Sequence, residues 1–109
     1  MPNNKMNYQL VLQFPLSDAA AEDFDRLLMI ENELELALRD NHHVHGHDIG
    51  SGVMNIFIHS NNPHETFKLV KNTLPENDFK KILIAVTDIK DNNYTVMWPV
   101  NYKNEFAIK

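Results

Sequence analysis

Two alternating runs, HHVHGHDI over residues 42–49 and VMNIFIH over residues 53–59, are separated only by Gly50-Ser51-Gly52. A connection this short makes an antiparallel hairpin, with glycine available for positive φ. Side chains alternate between the two faces of a sheet, so the length of the turn decides where each histidine points. A three-residue connection pairs Ile49 with Val53, His47 with Asn55, His45 with Phe57 and His43 with His59, all on one face. Val44, Gly46, Asp48, Met54, Ile56 and Ile58 then share the other. A two-residue turn slips the register and sets His43, His45 and His47 beside Met54, Ile56 and Ile58. Burying three imidazoles is costly, so the pattern predicts the three-residue connection, with strand two over residues 43–49 and strand three over Val53 to His59.

The rest of the chain extends this hairpin into a sheet. Tyr8 to Phe14, YQLVLQF, alternates cleanly and ends at Pro15, which predicts strand one. Ser17 or Asp18 is the expected N-cap of a helix from about Ala19 to Arg39, with Ala20, Phe24, Leu27, Ile30, Leu34 and Leu38 as its apolar stripe. Glu31 and Glu35 lie at the border of that stripe, where they either reach solvent or address a partner within the fold. A second helix starts at Asn62 with Pro63 first and Glu65 three residues after the cap, which is a capping-box pattern. It buries Phe67, Val70 and Leu74, and Pro75 closes it. Strand four is Lys81 to Thr87, Asp91-Asn92-Asn93 is a turn, and strand five is Tyr94 to Trp98. The tail VNYKNEFAIK is either loose or packed at an edge.

The order is β-α-β-β-α-β-β. Its first six elements make a split β-α-β unit, and right-handed crossovers then fix the topology. The expected fold is α+β and ferredoxin-like, with an extra C-terminal hairpin strand, antiparallel sheet order 5-4-1-3-2 and both helices on one face. A chain of 109 residues argues for one domain over 1–109, with residues 99–109 as the tail.

Composition narrows the function classes. No cysteine is present, which excludes disulfides, thiolate zinc sites and cysteine nucleophiles. No signal-like apolar run follows a basic start, and nothing approaches the roughly 20 apolar residues that span a bilayer, so a soluble, cytoplasmic protein is expected. Of the net charge of −5, residues 18–40 contribute −6, from eight acids against Arg26 and Arg39. Residues 41–109 balance seven acids with seven lysines. This is the wrong sign for phosphate contacts, and nucleic acid is not an expected partner.

In the predicted register His43, His45, His47, Asn55, Phe57 and His59 form a candidate binding surface on the sheet face without helices. Val11, Leu83, Ala85 and Met97 are expected there too, more apolar surface than a solvated face needs. A second copy of the chain, the tail or a ligand would cover it. Imidazoles at i and i+2 point the same way, so His43, His45 and His59 are the candidate ligands for a divalent metal; no other cofactor is implied. A catalytic trio of His47, Asp48 and Ser51 is excluded because neighbouring strand residues point to opposite faces. Asp48 is expected under the helices or capping the turn.

Three functions follow. The first is a binding module that forms a homodimer through the open face. The second is a regulatory or immunity-type protein that binds a basic partner through Glu22, Asp25 and Glu33 of the acidic helix. The third is a metal- or cofactor-dependent activity at the open-face histidines.

The segment GHDIGSGVMNIFI, with the later VMWP, resembles small bacterial ferredoxin-like domains, a likeness over about a fifth of the chain that implies no activity. The acidic helix is similar to those of bacterial immunity proteins. Antibiotic-biosynthesis-type monooxygenases share the expected architecture and stack their open faces in dimers, but none of their motifs is matched here.

Overall fold

The computed structural model describes residues 6–16, 20–38, 42–91, 93–104 and 106–108, and of residues 20–22 the backbone alone. Ser17 and Asp18, the expected caps of the first helix, lie outside the described residues, as does the Glu22 side chain. The elements are β1 (Tyr8–Pro15), α1 (Ala20–Ala37), β2 (His42–Gly50), β3 (Val53–Ser60), α2 (Pro63–Thr73), α3 (Glu76–Lys81), β4 (Leu83–Asp88) and β5 (Thr95–Trp98). The fold is α+β, a five-stranded sheet in the order β2-β3-β1-β4-β5 with every neighbouring pair antiparallel. That is the expected strand order.

One core forms between the sheet and the helices. Leu10, Leu12 and Phe14 of β1 and Met54, Ile56 and Ile58 of β3 meet Leu27, Ile30 and Leu34 of α1 and Val70 of α2. Burial of such side chains contributes about 1.5–3 kcal/mol each and fixes which face of β1 and β3 lies under the helices. β1 sits at the centre, with Leu10 opposite Ile58 on one side and Val86 on the other.

α3 is not foreseen from the sequence. Pro75 closes α2 as expected but also opens α3, which has Glu76 and Asp78 in its first turn and Lys80 and Lys81 in its last. Those charges suit the helix dipole. Phe79 is thereby buried; it stacks on Trp98 at 4.7 Å, and the Trp98 indole N–H donates to the Phe79 carbonyl at 2.9 Å. Arg26 of α1 pairs with Asp78. α3 thus ties the edge strand β5 and helix α1 to the same core.

The β2–β3 register differs from the predicted one. β2 continues to Gly50, which pairs with Val53, so the turn is only Ser51-Gly52. Ser51 at φ 50° and Gly52 at φ 80° give the doubly positive twist of a two-residue hairpin turn. Ile49 then faces Met54, Asp48 faces Asn55 and His47 faces Ile56. Beyond that point the register shifts between Val44 and Gly46, and His43 faces His59 as expected. Gly46, at φ 132°, supplies the backbone conformation the bulge needs. The cost of burying three imidazoles assumed a single register along the strand. The bulge removes that constraint by giving each half of β2 its own.

Candidate functional site: the histidine edge and the strap over the open face

The bulge sorts the histidines into two sets. On the helix side are His42 and His47; on the open side are His43, His45 and His59.

Each helix-side histidine meets a glutamate from a different helix. Glu31 is buried in α1, and both its carboxylate oxygens accept from His47 Nδ1–H at 3.0 Å. The His47 ring also stands edge-on to Phe24 at 5.9 Å. The border carboxylate is therefore aimed inward, and His47 does not belong to the open face where the sequence pattern put it. His42 escapes notice in the sequence because the run of histidines hides which one faces in. Its side chain is 2 % exposed, and Nε2–H donates to Glu65 at 3.1 Å. Its Nδ1 lies 2.7 Å from the Thr66 hydroxyl and 3.3 Å from that of Ser60. The Ser60 oxygen accepts from the Asn62 amide at 2.8 Å. Only half of the expected capping box forms: Asn62 Oδ1 accepts from the Glu65 amide at 3.2 Å, while the Glu65 carboxylate is drawn to His42. Glutamate, histidine and hydroxyl in series have the outline of a nucleophile-activating triad. Ser60 and Thr66 are both 0 % exposed, however, and no substrate can reach their oxygens.

On the open side, His45 stacks on His59 with centroids 4.2 Å apart and planes 14° apart, and His43 lies edge-on to His45 at 6.2 Å. His43 and His45 are exposed, and His59 and Phe57 are half-buried. The three rings expected as metal ligands are brought together as a stack, not as a converging set. Nearly parallel imidazoles direct their nitrogens in parallel planes, and His59 Nε2 is occupied by Gln9 Oε1 at 2.9 Å. Among the described residues no group of three metal-ligating side chains converges. Partial burial, and then the neighbouring His45 and His43, push the His59 pKa below its ordinary value of 6.5.

The tail covers the middle of this face. Gln13 Nε2 donates to the Ala107 carbonyl at 3.0 Å, and the Phe106 ring lies 5.3 Å from that of Tyr94. Beneath it Val11, Ala85 and Asn55 are 0 % exposed, although among the described residues no helix packs on this side. A polar chain runs outward from the tail: the Gln13 amide also donates to Asn55 Oδ1 at 3.1 Å, and Asn55 Nδ2 donates to Asp48 Oδ1 at 3.0 Å. Asn55 is thus an internal tie and not a surface contact. Asp48 lies on the open face and neither faces the helices nor caps the turn. A second chain links the tail's neighbour to the histidines, since Gln9 Nε2 donates to the Tyr94 hydroxyl at 2.8 Å while its Oε1 meets His59.

Met97, also expected on the open face, is turned to the helix side where the β4–β5 register shifts between Ile84 and Ala85. There it lines a cleft of about 400 Å³ with Tyr8, His64, Val86, Asp88 and Asp91, beside the first turn of α2.

On α1, Asp25 and Glu33 are exposed, as a partner surface requires. No helix among the described residues is long and apolar enough to cross a membrane. No family model, curated protein or solved structure matches the chain.

Proposed function

We propose that the chain is a small binding module that pairs with a second copy of itself through the histidine flank of its open sheet face. The observation that carries this reading is the division of that face. The tail occupies the middle, while the stacked His45 and His59, with His43 and Phe57 beside them, form an aromatic strip along edge strand β2 with no element of the described chain over it. A two-fold contact there would be self-complementary, with the same strip on both copies. Neutral imidazoles desolvate at modest cost and stack well, so the contact is favoured above the histidine titration range and opposed below it.

The split β-α-β connectivity extended by β5 also supports a ferredoxin-like assignment. Stacking of open faces is common for that architecture, an argument from fold alone. Here the tail limits such stacking to the flank.

Sedimentation across a concentration series tests the reading. A dimer at high micromolar concentration is expected at about pH 7.5, with a shift to monomer in acid as like charges are brought together in the strip. His45→Glu, which places a charge in the strip, should give monomer at both. A strict monomer at the higher pH, or a dimer indifferent to His45→Glu, overturns it.

A further inference from the structure

We propose that the outward face of α1 is a docking surface for a basic amphipathic helix of another protein, with Met29 and Leu36 as apolar anchors and Asp25 and Glu33 as its charged flank. The core-facing stripe of α1 is Leu27, Ile30, Leu34 and Leu38, all buried. At 100° per residue the opposite meridian carries Asp25, Met29, Asn32 and Leu36, with Glu33 beside them. Met29 is 64 % exposed and Leu36 70 %. They do not lie at the border of the buried stripe, where apolar side chains fold back onto the core. They point directly away from it, seven residues or about 10 Å apart on one line.

Single exposed aliphatics need no explanation, but two aligned at i and i+7 match the anchor spacing of a helix laid against a helix. Methionine suits such a contact because its flexible thioether adapts to the partner's shape. Charge selects the partner's sign. Asp25 and Glu33 make no ion pair among the described residues, and residues 18–40 hold a net −6 while the remainder of the chain nearly balances. Lysine or arginine flanking the partner's apolar stripe would neutralise these acids, and electrostatic steering would speed the encounter. The same acids repel an anionic membrane surface.

This surface lies on the side of the helices away from the sheet, so it stands or falls apart from the open-face contact. The test uses three labelled peptides of equal length: an amphipathic Leu/Lys helix, its Leu/Glu counterpart, and a Ser/Lys peptide with the charge but no apolar stripe. Fluorescence anisotropy should show binding of the first only, and its addition should move the Met29 methyl resonance. Met29→Ser with Leu36→Ser should weaken binding at least about tenfold with the net charge unchanged, and Asp25→Lys with Glu33→Lys about as much. Circular dichroism confirms that these surface variants fold. Equal binding of the Ser/Lys peptide, indifference to loss of Met29 and Leu36, resonance shifts confined to His43 and His45, or binding to phosphatidylglycerol vesicles would each overturn the proposal.

Discussion

The two sides of the β2 edge hold histidines from one short run and treat them oppositely. His42 and His47 face the helices, and each has a glutamate partner, one from α2 and one from α1. His43 and His45 face away and, with His59, have mainly one another. The same side chain is thus a structural tie on one side and a surface ring on the other. The difference comes from the partner, not from the residue: a buried imidazole such as His42 must satisfy its nitrogens locally, whereas one on the open face can use water. The bulge at Gly46 is what allows both to occur in one strand.

The sharpest way to break the comparison is to remove one ring from each side. His42→Ala should cost about 2–4 kcal/mol in urea unfolding, because it leaves a buried cavity and takes one partner from the buried hydroxyls of Thr66 and Ser60. His43→Ala, one residue along, should stay within about 0.5 kcal/mol. Equal losses would mean that the faces are not distinct.

Two intermediate effects test the device that separates them. Gly46→Ala forces a side chain into φ 132°, and about 1–3 kcal/mol should be lost although the space around a Cβ there is open. A silent substitution would show that the bulge is not needed. Glu31→Ala removes the acceptor of His47 Nδ1–H in a half-buried setting and should cost about 1–2 kcal/mol. His47→Ala should cost a similar amount, and the two losses should not add, since each removes the same contact.

Most of the fold was legible because period-two and period-3.6 patterns alternate along the chain and the crossover rule leaves one economical strand order. α3 was hidden by its length: six residues carry too little periodicity, and only Pro75 with the acid-to-base order of ENDFKK marks it. The site was less legible. Alternation places residues correctly only while the register is unbroken, so the two bulges moved His47, Asp48 and Met97 to the face opposite the expected one. Glycine at position 46 was the available sign, since a glycine within a strand often marks a bulge. The covering of the open face by the tail had no local signature at all. It depends on Gln13 meeting Ala107, a contact between distant parts of the chain that no periodicity encodes.

Acid should expose the weaker side first. The His59 pKa is lowered in the folded protein, so the neutral ring is favoured by folding. Its contribution is present above the ordinary value of 6.5 and is lost as pH falls through the depressed folded value. Thermal melts should therefore decline as pH falls below about 6.5, and His59→Gln should flatten that decline. The smallest expected effect is the most specific. Burial lowers the His59 pKa most, then the charge on His45, then that on His43. Nuclear magnetic resonance titration of the His59 ring should show its pKa rising in His45→Gln and rising less in His43→Gln, because the closer stacked ring is the stronger source of repulsion. If His43→Gln moves it more, or if neither variant moves it, the rings do not stack in this order, and the open face loses the feature that distinguishes it from an ordinary solvated edge.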